Sequence, residues 1–242
     1  MPACGPDDVL VARASLGAAG VAVDPVTHRV FYTIATEYGK STGGGVFYLD
    51  GTNLAASATP IGAKDPPTPT DVLVHGGFVY WLLSGTYLAD NPQKNGGVRR
   101  LPLAGLGGAE TVVATAPTDS DLLALAADDV NAYFIGINGA PGPTAGTYPL
   151  RAAPIGGAGG AASAFVRETG GAGGVTRAVV ADGAHVYYAS PPDAAIMRCP
   201  KTGCGQSAIK HVAGEVGASH VGQDLASLVW ATAAGDVRRV AK

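Results

Sequence analysis

Short apolar stretches recur along this chain, each closed by a polar or acidic residue and followed almost at once by an aromatic-rich stretch. Runs of about four to eight such residues, bounded by Gly, Pro, Asn and Asp, predict β-strands rather than helices. Five copies of the pattern align. The first comprises Val21–Asp24, Val30–Thr33 and Val46–Gly51, and the second Val72–His75, Val79–Leu82 and Val98–Pro102. The third comprises Leu125–Asp128, Ala132–Ile135 and Leu150–Pro154, and the fourth Val179–Asp182, Val186–Ala189 and Ile196–Pro200. The fifth is Val221–Asp224, Leu228–Ala231 and Val237–Val240. In most copies a further strand follows, at Ala55–Ile61, Glu110–Ala116, Ala164–Arg167 and Ala208–Ala213.

The equivalent aromatics Tyr32, Trp81, Phe134, Tyr188 and Trp230 lie 49, 53, 54 and 42 residues apart. Self-similarity at a period of about 40–50 residues points to propeller blades. The last copy stops at Lys242 after its third strand, while Val9–Ser15 reads as a strand with no repeat of its own. Together the strands number twenty, which makes five four-stranded blades if Val9–Ser15 pairs with Val237–Val240. That pairing leaves no incomplete blade and ties the termini together. The expected fold is therefore all-β, a single five-bladed β-propeller of four-stranded blades whose N-terminal strand closes the last blade. It spans residues 1–242, with the closing strand at 9–15 and blades near 18–63, 69–116, 121–168, 175–214 and 218–242. The competing reading is a piece of a six- or seven-bladed chain.

Composition agrees. The 36 glycines and 17 prolines among 242 residues suit many short strands and turns, and leave almost no room for a long helix. With 47% hydrophobic and 14% charged residues, the chain can bury a core and is not a disordered tail. Its net charge of −3 and the absence of any basic run beyond Arg99-Arg100 or Arg238-Arg239 set nucleic-acid binding aside. The longest apolar runs, such as Leu122–Ala127, fall far short of a membrane span. Met1–Asp8 lacks the charged start and apolar centre of a signal peptide, so an exported protein would be represented here by its mature part.

With these residues laid out, the chain resembles the YWTD-like and NHL-like propeller repeat superfamily, in particular the versions found in bacterial exported repeat proteins. Val79–Trp81, Val186–Tyr188 and Met197–Cys204 carry the likeness. The first copy departs from it, with Val46–Gly51 where Arg and Pro would sit, as does the second, with His75 in place of the turn Asp. The fifth ends before any Pro. The resemblance implies the fold, while function stays open, because this architecture hosts lectins, hydrolases, lyases, receptor modules and scaffolds.

Several repeated residues have structural readings. Asp24, Asp128, Asp182 and Asp224 are expected to cap turns, and the second-strand aromatics to fill the space between blades. Arg100, Arg198 and Arg239 are expected to hold surface or inter-blade hydrogen bonds, with the turn aspartates as candidate partners. Cys199 and Cys204 flank a tight turn and are expected to form a disulfide, which points to an extracytoplasmic setting: periplasmic, lipid-anchored or secreted. Cys4 is left over, as a lone thiol or close to a natural lipid anchor.

Function is expected on the face where second strands pass to third strands. Three of these connections are long (Ile34–Gly44, Leu83–Gly96 and Gly136–Thr147) and two short (Ser190–Ala194 and Thr232–Gly235), leaving a notch. The long ones carry Glu37, Tyr38, Lys40, Tyr87, Asp90, Asn91 and Asn138, a set that suits a sugar or peptide better than a phosphate. Alignment on the turn residue places Gly20, Asp71, Ala124, Ala178 and His220 at one position where the inner strands begin, beside a central channel. Arg177 and Asp121 lie just before it. Candidate ligand-binding residues are thus Asp71, Asp121, Arg177, His220, Tyr38, Tyr87 and Asn91. Asp71, Asp121 and His220 could instead hold a divalent metal at the channel mouth, and Arg177 could simply neutralise Asp71 or Asp121.

The leading expectation is a monomeric, non-catalytic binding module for a small molecule, glycan, peptide or protein. No His-Glu-x-x-His or complete phosphate-cradling loop is present. The alternative is a metal-assisted hydrolase or lyase at the channel mouth, and a third option is a purely structural propeller.

Overall fold

The computed structural model describes residues 18–35, 44–53, 57–63, 68–84, 86–88, 91–93, 96–116, 121–137, 150–157, 159–160, 162–166, 178–191, 193–205 and 208–242. They form an all-β protein. The first sheet holds β1 (Ala18–Val23), β2 (Arg29–Ile34), β3 (Gly45–Asp50) and β4 (Thr59–Ile61). The second begins with β5 (Pro69–His75) and β6 (Phe78–Leu83); a separate hairpin of β7 (Thr86–Leu88) and β8 (Asn91–Gln93) intervenes before β9 (Gly97–Pro102) and β10 (Thr111–Thr115) complete it. The third is β11 (Asp121–Ala127), β12 (Asn131–Ile137), β13 (Leu150–Pro154) and β14 (Ser163–Val166). The fourth is β15 (Val179–Ala181), β16 (His185–Ser190), β17 (Ala195–Pro200) and β18 (Ile209–Ala213). The fifth holds β19 (His220–Gln223), β20 (Ser227–Ala231) and β21 (Val237–Ala241). Each sheet is an antiparallel meander, and the expected closing segment 9–15 lies outside the described residues.

One register runs through all five sheets. Tyr32, Trp81, Phe134, Tyr188 and Trp230 stand opposite Val21, Val72, Leu125, Val179 and Val221. A slip by one residue would swap every side chain to the other face of its sheet. Trp81, Phe134, Tyr188 and Trp230 are buried, as expected of residues that fill the space between sheets. Tyr32 is half-buried and stacks on Phe47 with ring centroids 5.5 Å apart.

The core is divided among the sheet interfaces. Phe31, Val46, Val72 and Trp81 pack between the first and second sheets, and Tyr80, Val98, Leu122 and Phe134 between the second and third. Tyr133, Leu150, Tyr188 and Met197 fill the next interface, and Tyr187, Ile196, Leu228 and Trp230 the one after it.

The turns between first and second strands rest on their aspartates. Asp24 accepts hydrogen bonds from the Val26 and Thr27 amides and the Thr27 hydroxyl. Asp128 accepts from the amides of Val130 and Asn131, Asp182 from those of Ala184 and His185, and Asp224 from those of Ala226 and Ser227. These donors, preceded at Asp128 by the Lys201 ammonium as the strongest pull, hold all four carboxyls below the usual aspartate range against the opposing effect of burial. The second sheet, with His75 there, turns on Gly76 and Gly77, both at positive φ (55° and 80°), a conformation glycine adopts without steric cost.

Cys199 and Cys204 are disulfide-bonded, with Cα atoms 5.6 Å apart, across the turn that leads from β17 toward β18. The expected arginine–aspartate pairing occurs in the fifth sheet, where Arg239 lies 3.0 Å from Asp224. It does not extend to Arg100, whose guanidinium lies over the Phe78 ring at 4.5 Å. Asp128 is bridged instead by Lys201 of the fourth sheet at 2.7 Å.

Candidate binding site

The innermost strands of the first three sheets share an irregularity. Each holds one extra residue against its partner, between Ala18 and Val21 in β1, Pro69 and Asp71 in β5, and Leu122 and Ala124 in β11. Such bulges bend a strand and re-aim the side chains beside it. All three sit where the inner strand begins, and there they frame a cavity of about 560 Å³. Its walls are Ala18, Ala19, Gly20 and Val21 of β1, Ala35 just beyond β2, Thr70 and Asp71 of β5, Leu123 of β11, and His220, the first residue of β19. Four of the five sheets thus meet at one opening, on the face where second strands end and inner strands start.

Asp71 is the chemically distinctive group in this wall. Its Oδ1 accepts the Val72 amide at 2.9 Å and its Oδ2 accepts the Leu125 amide, also at 2.9 Å, so the carboxyl links the second sheet to the third. The first sheet closes over it through Gly20, where a Cβ would fall 2.8 Å from both the Asp71 Cα and its Oδ1. Only glycine tolerates that approach. Burial pushes the carboxyl up to about 6, against the pull of the two amide hydrogen bonds. Among the described residues no cation pairs with it.

The rest of the rim is held by short local bonds. The Thr70 hydroxyl donates to the Leu122 carbonyl at 2.7 Å, and the Leu122 amide donates to Ser84 Oγ at 2.8 Å. The Thr33 hydroxyl accepts the Gly20 amide at 2.8 Å. His220 is exposed, with Nδ1 2.9 Å from Ser219 Oγ.

Of the residues singled out from sequence, Asp71 and His220 are brought to the same cavity. Asp121 opens β11 opposite Ile137, but its side chain lies outside what the structure describes. Tyr87 and Asn91 belong to the β7–β8 hairpin, a folded element inside what the sequence suggested was a plain loop; their side chains are likewise not described. Tyr38 and Arg177 lie outside the described residues, as do Glu37, Lys40, Asp90 and Asn138. Among the described residues no three His, Cys, Asp or Glu side chains are grouped as metal ligands.

Sequence reasoning missed two hollows on the opposite face. One, of about 770 Å³, is lined by residues from Asp24 to Thr27, Arg29, residues from Val74 to Gly77, Leu103 and Ala104. The other, of about 540 Å³, lies between the fourth and fifth sheets around Asp182, Gln223, Asp224 and Lys242. The periodic turn Asp marks both in the sequence. In each hollow, however, polar groups are committed within the protein. Asp24 is spent on its turn, Arg29 Nη1 donates to the Leu103 carbonyl at 3.1 Å, Gln223 Nε2 to the Ala181 carbonyl at 2.6 Å, and Lys242 Nζ to the Asp224 carbonyl at 2.6 Å. The cavity at the inner-strand starts is smaller than the first hollow but keeps a half-buried carboxyl, Asp71, that no cation among the described residues pairs with.

No family model matches the sequence, and no curated protein matches it. Solved structures do. A chain of a nidogen/laminin complex superposes with a TM-score of 0.65 at 12% identity, covering 93% of this chain and 75% of that one. An oxidoreductase from Thermus thermophilus, provisionally named a glucose dehydrogenase, gives 0.63 at 13% identity, with 94% and 84% covered. A streptogramin B lyase gives 0.56 at 13%, with 95% and 70% covered. At such identities the likeness concerns the fold alone: this chain has a β-propeller architecture. The similar structures include a binding assembly and enzymes, so fold alone selects neither role.

Proposed function

We propose that this protein is a non-catalytic binding module whose ligand seats at the mouth of the propeller channel. The carrying observation is the cavity of about 560 Å³ where four sheets converge, a size within the range of small-ligand sites, with mainly small apolar walls and few polar groups. On this reading the ring has five blades, with 9–15 as its twentieth strand, and Tyr38, Tyr87 and Asn91 extend the site for a glycan or peptide. The Cys199–Cys204 disulfide supports an extracytoplasmic setting.

A ligand-observed NMR screen of fragments tests the reading. Ala19 is exposed on the cavity rim, so Ala19→Trp fills the mouth without disturbing a core. Hits should bind the parent and be lost in Ala19→Trp. Hits that bind both proteins equally, or no hits at all, refute the site.

A second reading, metal-assisted hydrolysis or elimination at the same mouth, draws on Asp71 and His220 lining one cavity. It expects calcium, manganese or zinc to raise the unfolding temperature, and His220→Ala with Asp71→Asn to abolish that rise. The binding reading expects no such rise.

A further inference from the structure

We infer that the channel-mouth cavity takes a ligand bearing a primary ammonium or guanidinium group on an apolar body, with the cation seated against Asp71. This rests on the binding reading above and names the chemistry of its ligand.

The donor and acceptor inventory of the cavity leads there. A carboxylate offers about four acceptor positions. The Val72 and Leu125 amides use one on each oxygen of Asp71, which leaves both oxygens able to accept again. The Thr70 hydroxyl spends its proton on the Leu122 carbonyl and so faces the cavity as an acceptor. His220 is left with Nε2, since Nδ1 is beside Ser219. The two amides nearest the carboxyl are already bonded to it, so an anionic ligand would meet the Asp71 charge with neither of those amides free to offset it. A cation with several N–H groups meets acceptors that lack donors.

Burial strengthens the case. A carboxylate largely shielded from water, with no cation beside it among the described residues, is unfavourable, and burial pushes this one up to about 6. The turn aspartates are different: amide and hydroxyl donors already converge on them and hold them low. Ala18, Ala19, Val21, Ala35 and Leu123 supply apolar wall for the rest of the ligand. Of the titratable groups on elements packed near Asp71, β1 carries none. Arg29 and Tyr32 lie on β2, His75 on β5 itself, Tyr80 on β6, Asp121 on β11, and His220 on β19. Among these, His220 shares the cavity.

The test is an NMR titration of the full chain at pH 7.5 with hexylammonium, hexanol and hexanoate, following the amides of Ala18–Val21, Asp71 and Leu123. Hexylammonium should bind about tenfold or more tightly than hexanol, as a charge-assisted hydrogen bond allows. Its affinity should fall as pH drops through about 6, where Asp71 takes up a proton. Asp71→Asn should erase the preference. Should that variant fail to fold, the ammonium–alcohol comparison on the parent still decides. Hexanol or hexanoate binding as tightly as hexylammonium overturns the ligand class while leaving the binding reading intact. Fragment hits that fill the cavity with no hexylammonium binding do the same. No small molecule of any class binding at the cavity overturns both.

Discussion

Replacing Asp71 with Asn should make the protein more stable near neutrality than in mild acid, relative to the parent. The native carboxyl titrates near 6 and an unstructured aspartate near 3.8. Between those values the folded protein holds a proton that the unfolded chain has released, so unfolding free energy falls as pH rises through the window. The contribution is complete below about 4 and gone above about 6. At about 1.4 kcal/mol per pH unit, the interval corresponds to roughly 3 kcal/mol. Asn is neutral throughout and lacks this dependence. Constant differences, such as the amide's poorer fit to the two backbone donors, cancel when two pH values are compared. Urea unfolding at pH 4 and pH 7.5 measures it, with the fluorescence of buried Trp81 and Trp230 as the signal. The stability of Asp71→Asn minus that of the parent should increase by roughly 3 kcal/mol between the two. A change below about 1 kcal/mol would refute the raised affinity of this carboxyl for its proton.

Other outcomes follow from the same contacts. Gly20→Ala should destabilise by about 1–3 kcal/mol in chemical denaturation, since its Cβ meets Asp71 at 2.8 Å; a neutral result would mean the first two sheets do not approach as described. Glu215 is buried and binds Trp230 Nε1 at 2.8 Å and Arg238 at 3.0 Å. Glu215→Ala leaves the buried Trp230 Nε1 without a partner and should cost about 1–3 kcal/mol, and Glu215→Gln less, in the same assay. Reducing Cys199–Cys204 opens a short loop and should cost about 2 kcal/mol, read as a fall of about 5 °C in Tm. Asp128→Ala should destabilise at neutral pH, with the loss shrinking as the parent is acidified below about 4. Its carboxyl is held low, so the stability it contributes is present above that range and disappears as it protonates.

Much of the architecture was legible because strand pairing obeys a period of two and large aromatics can face only the core. Alignment on Tyr32, Trp81, Phe134, Tyr188 and Trp230 reproduces the cross-strand register residue by residue, and the turn aspartates cap as their spacing predicts. The bulges were not legible, since one extra residue in an inner strand leaves no mark in a short apolar run. Nor was the state of Asp71. Its burial comes from Gly20 in one sheet and Leu125 in another, contacts that only the packed blades create. Arg100 illustrates the converse: its charge suggested a carboxylate partner, but the nearby Phe78 ring takes its guanidinium.

The most direct test is a crystal of this protein soaked with hexylammonium at pH 7.5. The nitrogen should lie within about 3 Å of an Asp71 carboxyl oxygen, with the alkyl chain along Ala19, Val21 and Leu123. An ammonium found only in the opposite hollow beside Asp24 and His75, with the channel mouth empty, would contradict it.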